Sequence, residues 1–179
     1  LEACLIAIQS IKPVIGRMEC FTGGAGKPLV VVDYAHTPDA LNHVLSTLRQ
    51  HCSTNLSVVF GCGCDRDKGK RKEMGAIAER LADQVIVTDD NPRFEDGVAI
   101  INDVISGLKM HKVSVINDRK SAIEQGILGC SELDVVLVAG KGHEDYIILG
   151  HEKIAYNERQ VVKSFFDNLE SYSLAGEKI

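Results

Sequence analysis

Apolar positions in this chain switch between two spacings. Five short runs, Leu29–Asp33, Leu56–Phe60, Gln84–Thr88, Val113–Ile116 and Asp134–Ala139, are rich in β-branched residues and bounded by Gly, Asp or Asn, which predicts buried strands. Between them, apolar residues recur three and four apart at Leu41, Val44, Leu45 and Leu48, at Met74, Ile77, Ala78 and Leu81, at Ile101, Val104, Ile105 and Leu108, and more weakly at Ala122, Ile123 and Ile127. Such stripes predict helices with one buried face. The first helix has a clear start: Thr37 as N-cap, Pro38 at the first helical position and Asp39 in the first turn. A last strand or hairpin is expected over Tyr146–Tyr156 around Gly150, then a closing helix carrying Val161, Val162, Phe165, Phe166 and Leu169. Strand–helix alternation of this kind predicts an α/β fold, an open and mostly parallel sheet of about six strands with helices on both faces.

Composition narrows the class. A chain of 179 residues with 45% apolar residues suits one domain with a proper core. The net charge of −5 offers no long-range attraction to nucleic acid or an anionic membrane, and no apolar stretch approaches the ~20 residues of a spanning helix. A cytoplasmic monomer is expected. Leu1-Glu2-Ala3-Cys4 lacks both an initiating Met and the basic start of a signal peptide, so the expectation is a piece of a longer protein. In that reading residues 1–16 are the tail of a preceding domain and a linker, with Leu1–Ile11 the end of its helix. Residues 17–170 then form the domain, and 171–179 a frayed tail. The six cysteines are scattered, and Cys62-x-Cys64 has no partner pair elsewhere, so free thiols are expected and no metal site.

In a parallel α/β sheet, ligands bind beyond the carboxyl ends of the strands, so the chemistry is sought in the loops that leave them. The loop after the second run, Gly61–Arg71, is rich in glycine and charge, yet Gly69-Lys70 is followed by Arg71 rather than Ser or Thr, so it is not a phosphate-binding P-loop. Taken alone, it leaves a solvated loop as one alternative. Two further loops, Asp89-Asp90-Asn91-Pro92-Arg93 and Gly140-Lys141-Gly142-His143-Glu144, change the picture. Arg66 and Arg93 suit bidentate recognition of a carboxylate, and Asp90 and Glu144 suit an ammonium. Together they match the zwitterionic end of an amino acid. Asn91 adds a neutral donor and acceptor, Gly140 and Gly142 permit close backbone approach, and Pro92 stiffens the turn carrying Arg93. His43 and His51 read as surface residues.

Val31-Val32-Asp33-Tyr34-Ala35-His36-Thr37-Pro38-Asp39-Ala40-Leu41, the Asp65–Arg71 loop, Thr88–Arg93 and Ala139–Tyr146 occur in one order that closely resembles the Rossmann-like C-terminal domain of the Mur ligases, in its diaminopimelate-adding branch. The resemblance runs from about Gly16 to Leu169, and Gly16-Arg17-Met18-Glu19 resembles the family's linker into this domain. It implies an ATP-dependent step of peptidoglycan synthesis in the cytoplasm. A D-glutamate carboxylate of UDP-N-acetylmuramoyl-L-alanyl-D-glutamate is phosphorylated, and the amine of meso-diaminopimelate attacks the acyl phosphate. It further implies that Arg66, Asn91, Arg93, Gly140 and Glu144, with Asp90 and Pro92 beside them, bind diaminopimelate, and that Arg17, Asp33 and His36 face ATP when the domains close. ATP, Mg2+ and the dipeptide substrate would be held mainly by preceding domains, leaving this piece inactive alone. Lysine-adding relatives resemble the Asp-Asn-Pro-Arg loop but lack the arginine. Two departures stand out: Cys64 where relatives have a second glycine, and a Phe21–Lys27 linker slightly longer than usual. Competing expectations are a folate-glutamylating ligase domain of the same architecture, and a Rossmann-like module that binds a small zwitterion without chemistry.

Overall fold

A computed structural model describes residues 14–63, 68–109 and 113–176. The expected segment Leu1–Ile11, together with Arg66 and Cys64, lies outside them. The main sheet has six strands: β1 (Glu19–Thr22), β2 (Leu29–Asp33), β3 (Leu56–Phe60), β4 (Gln84–Val87), β5 (Val113–Val115) and β6 (Val135–Ala139), in the order β1-β2-β6-β3-β4-β5. All neighbours are parallel except β1, which runs antiparallel to β2 with Glu19 opposite Val32. A separate two-stranded hairpin pairs β7 (Tyr146–Leu149) with β8 (Glu152–Ala155).

The order follows from the connections. Helices α1 (Pro38–His51), α2 (Lys68–Leu81) and α3 (Gly97–Ile105) link β2 through β5, and α4 (Arg119–Leu128) returns to β6 in the centre. Right-handed crossovers running outward and then back place those helices on opposite faces. Leu41, Leu45, Met74, Ile77, Ile101 and Val104 accordingly pack on the face presented by Val31, Val58, Val85 and Leu137. Ala122, Ile123, Val162 and Phe166 pack on the other, against Val30, Val32, Val59 and Val138. The closing helix α5 (Glu158–Gly176) shares that second face with α4. Period-two side chains buried on both sides explain why the central strands read as unbroken apolar runs.

Caps mark the helix starts. Thr37 accepts from the Ala40 N–H at 3.3 Å, Asp96 from Val98 and Asp118 from Ser121.

Three expectations are corrected. The sixth strand of the sheet is not the C-terminal hairpin but Glu19–Thr22, which lies partly within the segment read as a linker; the chain reverses through Gly23–Pro28 and lays it along β2. Lys68–Arg71 belong to α2 rather than to a solvated loop, and Arg71 is buried, donating to Glu95 and Asp103 at 2.9 Å each. Helix α5 continues past Ser171 to Gly176, where a frayed tail was expected.

Candidate functional site

Because β2, β3, β4 and β6 are parallel, their exits share one edge of the sheet. There the chain encloses a cavity of about 310 Å³, whose lining includes Tyr34 and His36 after β2, Gly61–Gly63 after β3, Asp90, Asn91 and Arg93 after β4, and Gly140 and Glu144 after β6. Residues some fifty positions apart thus meet, as the strand-exit argument requires. Of the expected amino-acid site, Asp90, Asn91, Arg93, Gly140 and Glu144 line this cavity; Pro92 is buried in the turn beside them.

The loop after β4 is held by the hairpin. Arg93 has φ 51°, its N–H donates to the Ile148 carbonyl at 3.1 Å, and its own carbonyl accepts from Gly150 at 2.8 Å. That left-handed backbone is sparsely populated outside glycine and is sustained here by pairing on both sides. The Arg93 side chain is exposed at the rim.

Asn91 is the junction of the site. Its Oδ1 accepts from Lys141 Nζ and from the Ile148 N–H, both at 2.9 Å, which fixes the amide so that Nδ2 donates to Glu144 Oε2 at 3.1 Å. Glu144 Oε1 also accepts from the Tyr34 hydroxyl at 3.4 Å. Lys141 itself is fully buried. Its Nζ donates to the Tyr146 carbonyl at 2.9 Å, touches Asp90 Oδ1 at 2.9 Å and stands 3.7 Å from Glu144 Oε2. The Asp90 contact is close but off hydrogen-bond alignment, so it is a contact of charges. Asp90, expected to face an ammonium ligand, is therefore already paired with a cation of the chain.

Beneath the loop after β6 lies a second buried cation. Arg119 donates from Nε and Nη2 to Glu158 Oε2 at 3.0 and 2.7 Å, and from Nη2 to the Ala139 carbonyl at 2.9 Å. Glu158 Oε1 accepts from the Gly142 N–H at 2.8 Å, so the pair anchors the loop. Burial works against the Arg119 charge, but the opposing charges of Glu158 and Asp90 outweigh it and hold the guanidinium protonated.

The glycines are spatial requirements here. A Cβ on Gly140 would come 3.0 Å from Asp90 Oδ2, and one on Gly142 would come 2.5 Å from the Gly16 carbonyl oxygen and 2.7 Å from Tyr34 Cβ.

The residues expected to face a nucleotide lie at the β2 exit beside the cavity. The Arg17 guanidinium sits 4.7 Å above the Tyr34 ring, the His36 and His143 rings lie 4.3 and 4.7 Å from it, and His36 Nδ1 is 2.8 Å from the Tyr34 carbonyl oxygen. A cationic and aromatic face of this kind fits phosphates and a base. Asp33 differs: it is buried, and its Oδ2 accepts from the Met18 N–H at 2.8 Å, so it fastens the segment before β1. Among the described residues no group of three or more His, Cys, Asp or Glu side chains is placed to hold a metal ion, and no helix is long and apolar enough to cross a membrane. His43 and His51 are exposed, as expected. Cys62 is buried against Met74, its Sγ 3.7 Å from the Met74 sulfur.

Sequence reasoning missed Lys141, Arg119, Glu158 and Tyr34 as site-building residues. A signal for the first was present, since Lys141 sits inside a glycine pair directly after a fully apolar strand, where a cation has to find anions at the strand exits.

Comparison with known proteins gives a consistent result. The profile of the Mur ligase, glutamate ligase domain family matches residues 16–142. The UDP-N-acetylmuramoyl-L-alanyl-D-glutamate–2,6-diaminopimelate ligase of Vibrio vulnificus (strain YJ016) is 50% identical over 160 residues, covering 89% of this chain and 32% of that protein. A solved structure of a UDP-N-acetylmuramoyl-L-alanyl-D-glutamate–2,6-diaminopimelate ligase matches with a TM-score of 0.82 and 39% identity over 94% of this chain and 34% of its own. The folylpolyglutamate synthase of Thermotoga maritima matches less well, with a TM-score of 0.57 and 25% identity over 78% of this chain and 30% of its own. The chain thus spans about a third of the length of these relatives.

Proposed function

The chain belongs to the Mur ligase family, and on that premise we propose that it is the amino-acid-delivering domain of an ATP-dependent ligase that joins meso-diaminopimelate to UDP-N-acetylmuramoyl-L-alanyl-D-glutamate in the cytoplasm. The observation that carries this reading is the cavity at the strand exits, where Arg93, Asn91 and Glu144 offer a carboxylate and an ammonium their counterparts within one small volume.

The residues divide the work by charge. Arg93, together with Arg66, which lies outside the described residues, takes the distal carboxylate of diaminopimelate through charge-assisted hydrogen bonds. Glu144, aimed by Asn91 and Tyr34, takes the distal ammonium. The nucleophilic amine at the other end of the ligand then points out of the domain toward the acyl phosphate. ATP supplies the phosphoryl group that activates the D-glutamate carboxylate, with Mg2+ held by preceding domains. Arg17 and His36, stacked with Tyr34, close over the nucleotide from this side, and a guanidinium there stabilises charge on the transferring phosphate.

Selectivity follows from the same charges. Lysine has no distal carboxylate, so it forgoes the charge-assisted hydrogen bonds to the arginines, at a cost of roughly 1.5–3 kcal/mol. The test is amino-acid-dependent phosphate release from ATP by the full-length protein with the muramoyl dipeptide, offering meso-diaminopimelate, L-lysine and D-glutamate. Response to diaminopimelate alone is expected; response to lysine, or to none, overturns the reading.

A further inference from the structure

Two acids line the cavity, Asp90 and Glu144, and they are not equivalent. The Asp90 side chain is 8% exposed and the Glu144 side chain 18%, while Lys141 between them is not exposed at all. Lys141 is nearer Asp90, at 2.9 Å against 3.7 Å for Glu144. The other oxygen of Asp90 faces the bare Cα of Gly140, where no side chain separates it from the backbone. Asp90 is thus walled in by Lys141 on one side and the main chain on the other.

We propose that Lys141 is a specificity-determining positioning residue. By neutralising Asp90 in the dry floor of the cavity, it leaves Glu144 to meet the ligand, so that the site accepts an ammonium accompanied by a carboxylate and rejects an ammonium alone. The assignment rests on reading the cavity as an amino-acid site.

Charge balance in the cavity sets the preference. With Asp90 matched by Lys141, the anion left to a zwitterionic ligand end is Glu144, with Arg93 as a cation at the rim. Without the lysine, a second anion stands behind Asn91, repels the distal carboxylate and favours a ligand that brings only an ammonium. Lys141 also donates to Asn91 Oδ1, and this bond turns the amide donor toward Glu144. Loss of the cation leaves the Ile148 N–H to hold Asn91 Oδ1 without the lysine, which weakens the aim of Glu144 as well.

The experiment uses the full-length protein and compares kcat/KM for meso-diaminopimelate and L-lysine in wild type, K141Q, D90N and the double variant, with the KM for ATP alongside. K141Q is expected to lower the diaminopimelate-to-lysine preference by roughly 30-fold or more, mainly through KM, with ATP little affected. D90N leaves Lys141 free to neutralise Glu144, so both amino acids weaken together and the preference changes little. The double variant removes both members of the Lys141–Asp90 pair and so keeps the charge balance of wild type, and its preference is expected within about 5-fold of wild type. If K141Q does not fold, the double variant against D90N carries the comparison, since recovery on adding K141Q is expected only from a charge-setting lysine. Equal losses for both amino acids in K141Q, or a double variant that merely adds the single losses, overturn the assignment of Lys141 alone. A wild type that prefers lysine, or uses neither, overturns the functional reading and this assignment with it.

Discussion

Two buried cations stand under the same loop and do different things. Arg119 is enclosed by partners of the fold itself: both oxygens of Glu158 are taken, one by the guanidinium and one by the Gly142 N–H, and the remaining donors reach the Ala139 and Asp89 carbonyls. These hydrogen bonds all end within the scaffold, while the nearby charge of Asp90 adds to them from the cavity side. Lys141 has partners that border the cavity, namely Asp90, Asn91 and Glu144, so its charge is felt where a ligand would sit. Burial alone therefore does not sort structural from functional residues. What sorts them is whether the counter-charge faces the core or the cavity.

The largest effect that separates the two is expected from R119M. It leaves Glu158 buried and unpaired, which costs about 3–5 kcal/mol and lowers Tm by roughly 10 °C or more for a domain of this size. Thermal unfolding followed by circular dichroism checks it; a normal Tm with lost amino-acid affinity would reverse the roles assigned to the two cations. G142A comes next. Its φ of 53° and a Cβ 2.5 Å from the Gly16 carbonyl oxygen force the loop off Gly16, at roughly 1–3 kcal/mol, read as a lower urea midpoint. R93A is expected to do the opposite of both. The side chain is exposed, so stability should hold, while KM for diaminopimelate rises roughly 10–100-fold for loss of a charged hydrogen-bonding partner and KM for ATP stays level. An unchanged KM for diaminopimelate would remove Arg93 from the site.

The same contrast explains what the sequence made legible. β2, β3, β4 and β6 announced themselves because strands buried on both faces are apolar at nearly every position, and their exits pointed to Asp90, Asn91, Arg93, Gly140 and Glu144 without any knowledge of the sheet order. β1 was invisible for the opposite reason. Glu-Cys-Phe-Thr is a short edge strand with alternate residues exposed, flanked by glycines, and only its pairing with β2 makes it a strand. The hairpin was legible from Gly150, but not its detachment from the sheet, which depends on its pairing with the Arg93 turn. Lys141 carried a local hint, its place inside a glycine pair after an apolar strand, and Arg119 carried none. Their anions lie 51 residues before Lys141, at Asp90, and 39 residues after Arg119, at Glu158, so no local pattern links them. Asp33, which the resemblance assigns to the nucleotide side, also accepts from the Met18 N–H, a bond no local pattern shows.

The smallest effect tests how completely Glu158 holds the charge of Arg119. Asp89 gives its carbonyl to Arg119 Nη1 at 3.3 Å, but its half-buried carboxylate faces Asp96 and Asp118, the N-caps of α3 and α4. Burial, followed by repulsion from those two acids, pushes its pKa above the ordinary aspartate range. A carboxyl whose folded pKa is raised is more stable protonated in the native state, so its contribution to stability improves as pH falls through that value and is unfavourable above it. D89N removes the charge and is expected to raise Tm at pH 7 by roughly 1–3 °C, a small figure because water screens a half-exposed group. At about pH 3, below the unfolded aspartate value, Asp89 is largely neutral in both states and the gain should vanish. Unfolding of wild type and D89N across that range decides the matter. A gain that survives at acid pH would mean the carboxylate acts through packing against Gly97 rather than through charge. No gain at pH 7 would mean that the Arg119 guanidinium already compensates Asp89, and that its charge is not confined to Glu158.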